Sequence, residues 1–270
     1  MTYNIDLRDP QWAYFFGFTQ ADGHLWQGPG NKGKLTIELQ ISDKPLLCAF
    51  QKLIPFYSSV STRCRDTNFK QGYESCSLRV SNWHFRKELQ RLGLPAGKKS
   101  TSVKTPETPF SASDYFRGWL DADGSVGITG KGFPFVSFGT KSPHIAAAFM
   151  SFCQAITGKP RKLQPNKRDN MFNIMYLKED AQSLVQAFYY PGALALERKQ
   201  KASATVLLWQ RPPEMRQRPP YKRWTPEEDA VVWAELPYVA AQRLGRTEKS
   251  VTARAWRLKH QVGSSVVPLE

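Results

Sequence analysis

The sequence predicts an α+β protein built from two pseudo-symmetric αββαββα repeats, followed by a small all-α unit of three helices. Three observations predict it. Two helical segments with the same internal glycine and the same Ala-Asp-Gly ending stand 101 residues apart, ending at Asp22-Gly23 and Asp123-Gly124. The same order of strand-like and helix-like patterns follows each of them. A proline- and arginine-rich stretch then leads into a segment with a helix-turn-helix rhythm.

The first motif reads Phe-Phe-Gly-Phe-Thr-Gln-Ala-Asp-Gly from Phe15 to Gly23, and the second Phe-Arg-Gly-Trp-Leu-Asp-Ala-Asp-Gly from Phe116 to Gly124. Asp9 and Pro10 suit the N-cap and first turn of one helix, and Ser111 or Ser113 can cap the other. Gly23 and Gly124 stand where a left-handed residue is expected to end each helix. Gly17 and Gly118 lie inside the helices, where glycine costs about 1 kcal/mol relative to alanine. Close approach of the two helices is the natural compensation, and it would bring Asp22 and Asp123 together.

In the first repeat, residues 34–41, 58–65 and 75–80 alternate as strands, and residues 46–53 and 83–92 carry helical periodicity. In the second, a hairpin is expected over 124–139, a helix over 143–156, strands over 161–165 and 171–177, and a helix over 181–189. The domains follow as 1–105 and 106–210. Residues 211–223, with four prolines and five basic residues, read as an extended linker. The last unit spans 224–262: Thr225 and Pro226 open a helix, Pro237 precedes another, and Gly245-Arg-Thr247 turns into a third.

Composition narrows the function. Thirty-eight Lys and Arg against 23 Asp and Glu give a net charge of +15, which calls for a polyanionic partner. Aromatic residues interleaved with the cations favour nucleic acid over a membrane surface. The four cysteines form no CxxC pair and lie at no zinc-ligand spacing, so they read as buried thiols in a reducing compartment. No apolar run approaches the roughly 20 residues that cross a bilayer, and the first residues lack a signal-peptide pattern. A soluble intracellular protein is expected, in the cytoplasm or nucleoid of a bacterial or phage-infected cell or in an organelle.

A carboxylate at a helix C-terminus faces the negative pole of the helix dipole, and two side by side repel each other as well. A cation between them reverses the balance, and a hard oxygen site with room for water and phosphate describes Mg²⁺, or Mn²⁺ in its place. Asp22 and Asp123 are therefore the expected metal ligands, and phosphodiester hydrolysis the expected reaction. Lys99 lies 77 residues after Asp22, and Lys199 lies 76 after Asp123. Each is placed to stabilise charge on a phosphorane-like transition state.

These paired helices resemble the LAGLIDADG motifs of homing endonucleases, over residues from about 9 to about 209. The resemblance implies a saddle of two sheets along the DNA major groove, metal binding by Asp22 and Asp123, and active-site roles for Lys99 and Lys199. It also implies cleavage of both strands of a long double-stranded DNA site with short 3′ overhangs, by a monomer needing no membrane and no obligate protein partner. Gln20 departs from the pattern, where Asp121 keeps an acid, and Phe16 and Arg117 stand where the family often has a small residue.

Strands present alternate side chains to one face, so Lys34, Thr36, Glu38 and Gln40 form one set that can meet base edges. Arg63, Arg65, Arg79, Arg161, Lys167 and Arg168 suit phosphate or guanine contacts. The tail resembles a Myb or SANT-like repeat, whose third helix would carry Lys249, Arg254, Arg257 and Lys259 into a major groove. Two other readings fit the same scaffold: an intron maturase that assists RNA splicing, and a DNA-binding regulator that does not cleave. The paired acids argue against the regulator, and the tail favours DNA over RNA.

Overall fold

The computed structural model describes residues 3–66, 71–215 and 223–262. Its first repeat runs α1 (Pro10–Asp22), β1 (His24–Gln27), β2 (Gly33–Gln40), α2 (Lys44–Leu53), β3 (Ser58–Arg65), β4 (Tyr73–Val80) and α3 (Trp83–Arg91). The second runs α4 (Ala112–Asp123), β5 (Gly124–Ile128), β6 (Pro134–Thr140), α5 (Pro143–Thr157), β7 (Phe172–Leu177) and α6 (Glu179–Phe188), with α7 (Glu197–Leu207) after it. The fold is α+β, with antiparallel sheets ordered β1-β2-β4-β3 and β5-β6-β7. The chain divides between Arg211 and Pro212 into two compact units.

The crossing of α1 and α4 organises the first unit. A Cβ at Gly17 would lie 2.1 Å from the Tyr115 carbonyl oxygen, and one at Gly118 would lie 2.3 Å from that of Tyr14. Both distances are far inside van der Waals contact, so the backbones meet at a separation that no side chain permits. One continuous core spans the crossing. Phe15, Phe50 and Phe85 fill it on one side and Phe116, Phe149 and Phe188 on the other, all buried. Edge-to-face pairs such as Phe15 with Phe50, ring centroids 5.0 Å apart, add to the burial.

Asp9 caps α1, its carboxylate accepting from the backbone N–H groups of Gln11 and Trp12. At α4 the expected capping differs: the Ser111 hydroxyl donates to Asp114, and that of Ser113 to the Ala187 carbonyl, so neither side chain caps the helix. Gly23 (φ −71°) and Gly124 (φ −107°) are extended rather than left-handed. Each helix passes directly into a strand, and space requires the glycines. A Cβ at Gly23 would sit 2.6 Å from the Thr19 carbonyl oxygen, and one at Gly124 2.4 Å from a Leu120 methyl.

The strand expected over 161–165 does not form; only an isolated bridge joins Pro165 to Phe172. Pro160 and Pro165 have no N–H to donate to a ladder. The second repeat is therefore αββαβα. The helix α7 was not anticipated from the pattern, because only Lys199, Ser203 and Val206 are buried on it and two of those are polar.

In the second unit Thr225 and Glu228 form a capping box at α8 (Pro226–Ala234). Next come α9 (Pro237–Leu244), closed by left-handed Gly245, and α10 (Glu248–Val262). Val232, Ala240, Ala241 and Val251 form its buried core. Of the linker expected over 211–223, residues 216–222 lie outside the described residues. Among the described residues no helix is long and apolar enough to cross a membrane. The four cysteines are free thiols; Cys76 and Cys153 are buried, but Cys64, on the peripheral strand β3, is exposed.

Candidate active site

Because α1 and α4 cross at their glycines, the chains leaving them carry Asp22 and Asp123 within range of each other's charge. The field of Asp22 acts on Asp123, and both acids act on Lys99 and Lys199. Solvent reaches both carboxylates, yet the surrounding walls displace much of their hydration. That loss raises the pKa of both. The charge of Asp22 adds to the effect on Asp123, which is pushed up to about 6. Among the described residues neither carboxylate accepts a hydrogen bond.

The lysines have a different job from pairing with the acids. The Lys99 ammonium donates to the Ala21 carbonyl at 2.8 Å. The Lys199 ammonium donates to the carbonyls of Leu120 (2.6 Å), Asp121 (2.6 Å) and Gly124 (2.8 Å). Each thus satisfies carbonyls at the end of a motif helix and sets a positive charge against the negative pole of its dipole. Lys199 is buried, which pulls its pKa down to about 8. It sits in the first turn of α7, whereas Lys99 lies in a loop.

Two tyrosines complete the cross-bracing. Tyr14 of α1 donates to Asp121 of α4 at 2.7 Å, and Tyr115 of α4 donates to Gln20 of α1. Asp121 also accepts from Tyr189 (2.6 Å) and from the backbone N–H of Leu196 (2.7 Å). Three donors on two oxygens favour the ionised carboxylate, while burial works against it and raises its pKa. Gln20 uses its amide on the carbonyls of Gly93 and Lys104. Its neutrality therefore fits its place, where carbonyls have to be bonded. Arg117 is fully buried and has partners for its guanidinium: Asp114 at 2.6 Å, and the carbonyls of Phe188 and Leu194.

Two clefts open on the first unit, and Asp123 lines one of them. One, of about 220 Å³, is lined by Lys99, Asp123, Gly139, Lys141 and Met171 among others, and reaches the second sheet. The other, wider, includes Glu38, Gln40, Asp43, Arg65 and Arg198 on the side of the first sheet. Among the described residues no three His, Cys, Asp or Glu side chains cluster. A cation here would take two carboxylates from the protein and the rest of its shell from water and phosphate oxygens, the habit of Mg²⁺ and Mn²⁺ rather than of zinc. Two mutually repelling acids without hydrogen-bond donors fit such an ion.

No protein-family model and no curated protein matches the chain. Solved structures do resemble it. The I-SmaMI LAGLIDADG homing endonuclease bound to cleaved DNA is 12% identical with a TM-score of 0.47, over 74% of this chain and 87% of that one. The homing endonuclease I-WcaI bound to its DNA recognition sequence is also 12% identical with a TM-score of 0.47, over 73% and 88%. I-SmaMI bound to an uncleaved DNA target in the presence of calcium ions is 10% identical with a TM-score of 0.45, over 68% and 86%.

The first sheet presents most of the expected readers. Lys34, Thr36, Glu38 and Gln40 point away from Leu35 and Ile37, which are buried. Register sets Arg79 beside Thr36, and Arg63 and Arg65 on the same outer face. Arg65 is held by Glu38 at 3.2 Å, and Gln40 donates to Asp43 at 3.1 Å. Arg161 departs from expectation: its guanidinium lies over the ring of Tyr176 of β7, which is buried, at 4.2 Å and 3.9 Å from Asp180. Lys167 and Arg168 stand exposed in the turn before β7.

In the second unit Lys249, Arg257 and Lys259 are exposed on α10. Arg254 is turned inward instead. Its guanidinium holds Asp229 at 2.7 and 2.6 Å and lies 5.9 Å from the Trp224 ring centre. Sequence reasoning missed Tyr14, Tyr115 and Arg198. Arg198 grips buried Asp43 at 3.1 Å and lends its charge to Asp22. A usable signal existed: Arg198-Lys199 repeats the basic doublet Lys98-Lys99.

Proposed function

We propose that this protein is a site-specific endonuclease that hydrolyses both strands of a double-stranded DNA target on the LAGLIDADG plan. Asp22 and Asp123 hold a divalent cation, Mg²⁺ or Mn²⁺. The observation that carries the reading is their convergence: two carboxylates with no hydrogen-bond donor among the described residues, at the ends of helices crossed through glycine, each heading a sheet. A cation bound there would polarise a phosphate and lower the pKa of an attacking water.

The chain's own residues do the rest. Lys99 and Lys199 fix both helix ends and set positive charge where the phosphate gains negative charge. Lys34, Arg63 and Arg79 offer donors to phosphates and base edges along the first sheet. Residues 1–105 and 106–210 serve as two catalytic halves, so one chain supplies a centre for both strands and acts as a monomer. Residues 224–262 act as a tethered Myb-like helix-turn-helix module, with Lys249, Arg257 and Lys259 toward DNA, and raise affinity through effective concentration.

The test is cleavage of a randomised duplex library by wild type and by the Asp22→Asn, Asp123→Asn double variant, with Mg²⁺ and with Ca²⁺. Cutting at one long site that needs Mg²⁺ and is lost in the variant is expected. Selective binding with no cutting under any divalent ion would instead assign a regulator, and preference for structured RNA a maturase.

A further inference from the structure

The outer faces of the two sheets differ in chemistry. The first carries Lys34, Arg63, Arg65 and Arg79, with Trp26 across from Lys34 as its exposed aromatic residue. On the second, register sets Ser125, Ser137 and Met175 in one row and Gly127, Phe135 and Leu177 in the next, with Asn173 beside Gly139. Within the three strands no charged side chain stands on that face. Met175 is 42% and Leu177 39% exposed, and the Phe135 ring edge would be 3.3 Å from a Cβ at Gly127. Basic residues are confined to the rim: Lys131 at the hairpin tip, Lys141 after β6, and Lys167 and Arg168 before β7, all exposed.

This face joins the candidate active site, because the cleft beside Asp123 runs on through Gly139 and Met171. Its occupant is therefore a continuation of whatever lies over the acids. The cationic rim favours a polyanion, and it disfavours a second copy of the chain, whose own rim would meet it with like charge. In a major groove the one apolar base group is the thymine C5-methyl, whereas guanine offers two acceptors that suit arginine. An apolar side chain set against guanine would leave those acceptors desolvated and unbonded.

We propose that the second sheet reads its half of the DNA site through thymine methyl groups, with Phe135, Met175 and Leu177 as the contacting residues. The first sheet reads the other half through arginine and guanine. Lysines on the rim of the second sheet hold phosphates and carry no base preference. The proposal rests on the DNA-cleaving reading above and adds to it the base class expected in each half-site.

The test starts from the duplex selected by wild type out of a randomised library, with the selection repeated for Met175→Ala and Leu177→Ala. The half whose base preference relaxes in these variants is the half under the second sheet. Binding is then compared for the selected duplex and for versions in which the thymines of one half are replaced by uracil, which removes only the methyl group. Replacement in the relaxed half is expected to weaken binding about fourfold for each covered methyl. Replacement in the other half should leave it unchanged, and Met175→Ala should blunt the effect.

Equal losses in both halves, no loss in either, or no relaxation in the variants would overturn the proposal while leaving the nuclease standing. So would a Met175→Ala protein with normal DNA selection that dissociated a dimer in sedimentation, since the face would then be an interface between copies. A library that yields no selected site would remove the DNA reading itself.

Discussion

Asp123 is raised to about 6 first by loss of hydration and then by Asp22, so its charge is a source of repulsion in the metal-free protein. A carboxyl whose folded pKa lies above its unfolded value favours folding below the unfolded pKa, and that contribution is lost as pH rises through the folded value. In EDTA, Asp123→Asn is expected to match wild type only below about pH 4, to become the more stable of the two as pH rises from there to about 6, and to keep a constant advantage above that. Urea midpoints across that range check it, and a constant difference would show that the repulsion is absent. Added Mg²⁺ should stabilise wild type and not the variant. The bracing tyrosines make a second pair. Tyr14→Phe removes a hydrogen bond to a buried carboxylate and is expected to cost about 2 kcal/mol; Tyr115→Phe, which removes one to neutral Gln20, about 1 kcal/mol.

At the scale of elements, the α1–α4 crossing decides whether a site exists. Gly118→Val would drive a branched side chain into the Tyr14 carbonyl and the Phe18 backbone nitrogen, 2.3 and 2.7 Å from where its Cβ must lie. A loss of about 3 kcal/mol or more is expected, with cleavage falling further than binding because Asp22 and Asp123 are pushed apart. Gly130→Ala, at a position open to solvent without a positive φ, should be close to neutral. If both behaved alike in denaturant titrations, the close approach would not be what these glycines serve. The same scale explains the missing strand: prolines at both ends of 161–165 leave too few donors for a ladder, and Arg161 is drawn to Tyr176 and Asp180.

For the whole molecule, charge and modularity set the expectations. The net charge of +15 predicts that DNA binding weakens steeply with salt as condensed counterions are released. Deletion after Arg211 is expected to reduce affinity and flatten the salt slope while leaving the cleavage rate at saturating DNA intact, since the acids and both lysines lie before the cut. Filter binding and single-turnover cleavage separate the two quantities. A truncated protein that bound as tightly as the whole would remove the DNA-binding role of the tail. Among the described residues the second unit buries four apolar side chains in its core. It should therefore melt at a lower temperature than the rest.

By itself the sequence determined the repetition, the helices with their internal glycines, the acids that end them and the outward set on β2. Each of these is written in local pattern: a period, a cap or a glycine that needs a reason. The tertiary structure alone decided what those residues meet. That Lys99 and Lys199 grip helix carbonyls rather than the acids, that Tyr14 and Tyr115 cross to the opposite repeat, and that Arg117 is satisfied while buried all depend on partners about 70 to 110 residues distant. Arg161 and Arg254 show the limit most plainly. A basic residue on a strand or helix looks the same in sequence whether it faces DNA or an internal aspartate, because a guanidinium is stabilised by whichever anion the folded chain brings within reach.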